Sequence, residues 1–234
     1  MAATVNQPLI LALETSGRCG SVALVDQAGC RAEYSLQSSR THSRRLLEAV
    51  ARLMAECQVE WDQLDGIAVG LGPGSFTGLR IGLASAKGLV LATGKPLLGI
   101  SSLDALAGQG LPSPYPICAL IDARKQEVFA AFYEEGEQLQ RVGEYLAITP
   151  ADLAARITRP TLLIGSGAEL YRHLLQEKLG ELARFAPPAL FFPRAAAIGH
   201  LALTEWQRQN FLDPGRAVPL YVRTSDAQLP STKP

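Results

Sequence analysis

A glycine-rich run and a pair of acidic strand ends are the residues of this 234-residue chain best suited to chemistry. The run Gly70-Leu-Gly72-Pro73-Gly74-Ser75-Phe76-Thr77-Gly78-Leu-Arg80 follows the apolar stretch Gly66–Val69 and opens a segment of small and apolar residues reaching Thr93. Strand, glycine loop and helix in that order aim backbone N–H groups at an anion, and glycines let a phosphate or another chain come close. No Lys-Ser or Lys-Thr pair follows the glycines, so this is not a Walker loop, and a plain strand-to-helix turn remains open. Glu14 and Asp122 each close an apolar strand pattern, one in each half. Paired carboxylates across a cleft could hold magnesium or activate a hydroxyl. The plainer role, each capping its own hairpin turn, is favoured because no base or nucleophile accompanies them. Thr15, Ser16, Gly165 and Gly167 stand where a phosphate could be cradled weakly, in a vestigial or structural site.

The elements that must position these groups read as two similar series. Strand patterns at Leu9–Leu13, Ser21–Val25 and 31–36 precede a helix from about Ser43 to Cys57. On that helix Leu46, Leu47, Val50, Leu53, Met54 and Cys57 share one face, and Arg44, Glu48, Arg52 and Glu56 form an i,i+4 ladder on the other. Strand 66–69, the glycine loop, a helix to Thr93, strand 97–100 and a helix from Ser102 complete the first unit. Leu79, Leu83, Ala86 and Val90 make one apolar stripe of the glycine-loop helix, and Ile81, Ala84, Gly88 and Ala92 make another. A helix apolar on two sides is buried on two sides, here against its own sheet and against either the first helix or another subunit. The proline-rich stretch 111–116 marks a boundary between lobes at 1–110 and 111–234. Beyond it the order restarts, with a hairpin at 116–133, a helix near 150–157, strand 161–164, the loop Gly165-Ser-Gly167 and a helix at 168–178. A duplicated βββαβαβα series predicts an α/β protein of two ribonuclease H-like lobes, resembling the actin, hexokinase and heat-shock-ATPase superfamily.

Composition narrows the function classes. Lys plus Arg and Asp plus Glu both number 22, so no global field draws the chain to nucleic acid or an anionic membrane on its own. Cys19, Cys30, Cys57 and Cys118 contain no Cys-x-x-Cys pair, which fits a reduced cytoplasmic protein with ordinary thiols. The N-terminal residues read as neither signal peptide nor membrane span. Of the histidines, His42 lies in a basic run at a helix start, where a partner carboxylate or an RNA phosphate could compensate the charge, although a solvated helix start is the plainer reading. His173 and His200 sit alone in helical segments.

The segments Leu9–Ser16, Gly72–Gly82 and Ile121-Asp122-Ala-Arg124-Lys125-Gln126-Glu-Val128, with Pro219-Leu-Tyr221-Val-Arg223 near the end, resemble the bacterial TsaB (YeaZ) family in the same order over nearly the whole chain. The resemblance implies a role in forming N6-threonylcarbamoyladenosine at position 37 of tRNAs decoding ANN codons. It also separates the chain from TsaD, the catalytic paralogue, whose His-x-x-x-His metal pair would fall on Ser102 and Leu106. Neither could serve as an iron or zinc ligand here, and no other histidine pair has that spacing. The expectation is a subunit that is not an enzyme by itself, holds no metal and no cofactor of its own, and binds ATP or ADP weakly at most. Its implied partners are a TsaD-like catalytic subunit, a TsaE-like ATPase, tRNA within the complex, and a second copy when alone. The first two helices would make a four-helix interface, lined by Leu46, Val50, Leu53, Met54, Leu83, Lys87 and Val90. The alternative is an independent small-molecule kinase or peptidase of the same superfamily.

Overall fold

The computed structural model describes residues 7–37, 42–136 and 139–222. Strands β1 (Ile10–Glu14), β2 (Cys19–Asp26) and β3 (Gly29–Gln37) form an antiparallel meander. β4 (Gly66–Gly72) and β5 (Leu97–Ser101) extend it in parallel from β1, in the order β3-β2-β1-β4-β5. Helix α1 (His42–Glu56) connects β3 to β4, α2 (Phe76–Thr93) connects β4 to β5, and α3 (Ser102–Gly108) follows β5. The second half repeats this connectivity. β6 (Ile117–Arg124), β7 (Glu127–Glu135) and β8 (Leu139–Ile148) form the meander, and β9 (Thr161–Ile164) and β10 (Ala183–Phe185) run parallel to β6, in the order β10-β9-β6-β7-β8. Its helices are α4 (Pro150–Ala154), α5 (Ser166–Leu170), α6 (Arg172–Leu179) and α7 (Ala195–Gln207). The two sheets therefore share one topology, as the duplicated α/β reading requires.

Strand alternation decides which helices each sheet face receives. Leu11 and Leu13 of β1 and Val22 and Leu24 of β2 pack against Val50 and Leu53 of α1 and Leu83 and Val90 of α2. Ile10, Ala12, Ala23 and Val25 point the other way, toward Ile198 and Ala202 of α7. Gly199 makes that approach close, since a Cβ there would lie 2.6 Å from Val25. Helix α3 does the reciprocal thing, sending Leu103, Leu106 and Ala107 into the core of the second sheet beside Ile117, Ala119 and Ile121. The halves thus exchange their last helices, and the packed first unit includes residues from beyond the proline-rich stretch. Residues of the first sheet also cap α7. The Ala195 N–H donates to Ser21 Oγ at 2.8 Å, the Ala196 N–H to Glu33 Oε1 at 3.0 Å, and Arg194 pairs with Glu33. An acidic partner at that end satisfies orphan donors and complements the helix dipole.

Candidate functional site

The Glu14 carboxyl is fully buried and engaged by its own chain. Its Oε1 accepts the Ser16 N–H at 2.5 Å and its Oε2 accepts the Ser102 hydroxyl at 2.9 Å. A Cβ on Gly70 would sit 2.1 Å from Oε2, so β4 closes the remaining side. Burial raises the carboxyl's pKa, against the opposing effect of these hydrogen bonds. Ser16 Oγ lies beside it, buried, with no well-aligned partner among the described residues. A protonated carboxyl would offer that oxygen a donor. Asp122 is used in the same way in the second half, where Oδ1 accepts the Arg124 N–H at 2.9 Å, again two residues on. Both carboxylates cap their own hairpin turns.

The glycines of the loop have a packing reason. Added Cβ atoms on Gly74, Gly78 and Gly82 would come to 2.5 Å from the Ser16 carbonyl, 2.1 Å from the Thr15 carbonyl and 2.2 Å from Thr15 Oγ1. Spaced by four, they line the side of the loop and α2 that lies against the turn leaving β1. The Ser75 N–H donates to the Ser16 carbonyl at 2.7 Å, and the Thr15 hydroxyl donates to the Gly78 carbonyl at 2.8 Å. Ser75 also N-caps α2 by accepting the Gly78 N–H. Residues 15 and 16 thus fill the glycine side of this loop and helix, and neither hydroxyl faces solvent. Gly165 and Gly167 pack likewise on Leu120, the former 2.1 Å from its carbonyl by the same measure. Pro73 is buried in the loop, whereas Phe76, Thr77 and Arg80 are exposed, with the Arg80 guanidinium 3.7 Å from the Phe76 ring centroid.

At the positions that would carry the histidine pair, Ser102 is spent on Glu14, and Leu106 is fully buried and reaches within 2.5 Å of where a Gly165 Cβ would be. These residues do not fit a metal. No cluster of three or more His, Cys, Asp or Glu able to hold one occurs among the described residues. The side chains of residues 42–44, with His42, and Arg40 before them lie outside the described set, as do residues 1–6 and Arg223.

The stripe expected to line an interface requires correction. Leu46, Val50, Leu53, Met54, Leu83 and Val90 are between 0 and 8% exposed and belong to this chain's own core. Their hydrophobicity serves the sheet, because α1 and α2 both lie on it. Lys87 is half-buried between the faces of α2. The outward side is formed by Ala84, Gly88 and Ala92 of the second stripe, which are exposed, whereas Ile81 of that stripe packs against the core. Leu91 is 88% exposed, and a Cβ on Gly88 would meet nothing within 4 Å. On α1 the corresponding exposed residues are Leu47, Ala51 and Ala55. Near the C-terminal end of α2, Trp61, Asp62, Leu89, Ala92, Thr93 and Lys95 line a pocket of about 450 Å³ that no sequence pattern announces.

The family model described as TsaD, tRNA N6-adenosine threonylcarbamoyltransferase, matches residues 36–230. The tRNA threonylcarbamoyladenosine biosynthesis protein TsaB of Bacillus subtilis is 30% identical over 223 residues, 94% of this chain and 96% of that one. YeaZ from Pseudomonas aeruginosa superposes with a TM-score of 0.77 at 28% identity, over 92% of this chain and 99% of that one. An activator of 2-hydroxyisocaproyl-CoA dehydratase from Clostridium difficile shares the fold at a TM-score of 0.53 and 10% identity, over 86% of this chain and 97% of that one. The two-lobe α/β architecture read from the sequence agrees with these likenesses. No helix among the described residues is long and apolar enough to cross a membrane.

Proposed function

This chain belongs to the TsaB (YeaZ) family of tRNA threonylcarbamoyladenosine biosynthesis proteins, and from that premise we propose that it is the non-catalytic subunit of the assembly that makes the modification on ANN-decoding tRNAs. It pairs with a TsaD-like catalytic subunit through the outward faces of α1 and α2, two helices from each chain forming a four-helix contact. Alone, it forms a homodimer through the same surface. A TsaE-like ATPase is the third component, tRNA is engaged only in the complex, and any ATP or ADP is held weakly, in the cleft or at the complex interface. The protein works in the cytoplasm.

The observation that carries this reading is the α2 face, where Ala84, Gly88 and Ala92 leave the backbone open beside the exposed Leu91. Small residues along a helix permit close approach of another helix, and an exposed leucine among them gains by being covered. The Glu14–Ser102 hydrogen bond and the burial of Leu106 support a supporting role rather than group transfer in this chain. Against the independent kinase or peptidase reading, the Ser102 hydroxyl that meets the Glu14 carboxyl is fully buried with it, out of reach of a substrate. Depletion of the protein followed by nucleoside analysis of bulk tRNA tests the function. Loss of threonylcarbamoyladenosine, restored by the wild-type chain, is expected. Unchanged levels in a cell without a redundant pathway contradict it.

A further inference from the structure

Arg124 (φ 63°), Lys125 (φ 52°) and Gln126 (φ 61°) are consecutive non-glycine residues in the left-handed region. Gln58 and Gln209, the other such residues in the described chain, occur singly just beyond α1 and α7, where this conformation ends a helix. The run at 124–126 is different. Arg124 pairs with Glu127, so Lys125 and Gln126 are the central residues of a two-residue hairpin between β6 and β7. Such a turn with positive φ at both positions is made at least cost by Asn-Gly or Asp-Gly. The conformation is enforced from below. Asp122 accepts the Arg124 N–H at 2.9 Å and faces its guanidinium at 3.5 Å, while the Asp122 N–H donates to Ser166 Oγ at 3.2 Å. Strained backbone persists only where its surroundings over-determine it.

What the strain achieves lies in the side chains. All three are exposed, the Arg124 side chain to 74%. They offer two cations and an amide at the carboxyl end of β6, the end of an α/β sheet where ligands are met. Two cations and an amide held exposed at a tip that Asn-Gly would form at lower conformational cost point to a use for the residues themselves.

We propose that this tip is an RNA-backbone contact, with Arg124, Lys125 and Gln126 donating hydrogen bonds to phosphate oxygens of the tRNA. The proposal rests on the reading above that tRNA is the substrate of the assembly. With formal charges balanced over the chain, a contact of this size adds to an RNA site built by several subunits rather than making one alone. The test uses the full chain carrying Lys125→Asn and Gln126→Gly, in complex with the TsaD-like subunit, against an unmodified tRNA transcript. The variant chain should melt higher, by about 2–4 °C for a gain of the size such turn substitutions give. The complex should nevertheless bind the transcript more weakly, with the dependence of log affinity on log salt shallower by about 1 for the lost phosphate contact. Greater stability with weaker RNA binding is a combination that a purely structural turn does not produce. Unchanged affinity and salt slope, a lower melting temperature, or loss of assembly instead of RNA affinity (a protein contact) would each overturn the proposal. Product formation by the wild-type complex is measured in the same mixtures. Its absence would sink the proposed function, while the binding comparison still judges the tip.

Discussion

Glu14 carries a clear energetic signature at the scale of single residues. Burial holds its carboxyl above the ordinary value of 4.5, so the folded chain binds that proton more tightly than the unfolded chain does. The stability this contributes is fully present below the ordinary value and is lost as pH rises through the raised folded one. Glu14→Gln keeps the shape, can still accept from the Ser16 N–H and can donate to Ser102 Oγ. Its melting temperature should match the wild type near pH 4 and exceed it at pH 8. A variant less stable than wild type by the same amount at both pH values would show that the carboxylate form is the one the fold prefers. The capping role of Glu14 and Asp122 was legible in the sequence, because each closes an apolar strand pattern before a turn, although β6 itself runs two residues past Asp122 to Arg124. The use of Thr15 was not, since its partner carbonyl belongs to Gly78, 63 residues away, and only the packed fold reveals that pairing.

Helix α2 shows at the scale of the element where sequence reading succeeds and where it stops. Its two stripes were visible as periodicity; the first lies on the sheet, and of the second Ala84, Gly88 and Ala92 are exposed while Ile81 packs against the core. Which stripe meets the sheet was not visible, because Leu83 and Val90 on one side and Ala84 and Gly88 on the other are both apolar. The larger side chains fill the space above β1 and β4, and the smaller ones are left outside. Strand β8 escaped notice for a related reason. It is an edge strand whose first residues, such as Gln140 and Arg141, are exposed, so alternation is weak. Gly88 tests the outer face. It stands in mid-helix with open space around it, so Gly88→Ala should stabilise the isolated monomer by up to about 1 kcal/mol. The same methyl group should weaken pairing with the catalytic subunit, because it holds the helices apart. Thermal melts at dilute concentration and titration calorimetry of the pair check the two halves. A variant that gains stability and pairs undiminished would place the contact elsewhere.

The whole molecule is two copies of one topology joined by exchange of α3 and α7. That exchange puts α7 on one face of the first sheet and leaves α1 and α2 on the other, with the outer sides of α1 and α2 exposed. The duplication could be read from the order of elements. The exchange could not, because it depends on contacts such as Gly199 against Val25 that no local pattern encodes. In the proposed function the outer side of α1 and α2 is where this chain meets its partner. The most direct measurement is assembly by light scattering of the wild type and of a Gly88→Arg, Leu91→Asp double variant, each alone and mixed with the TsaD-like subunit, with circular dichroism to report folding. Wild type should dimerise alone and form a complex with the subunit. The double variant should stay folded, remain monomeric and fail to join the complex, since unpaired charge in a closing apolar contact costs several kcal/mol on the order seen for lone buried ions. Val50→Glu, which places its charge in the core, should instead unfold the chain. A folded double variant that still assembles with the subunit would contradict the account.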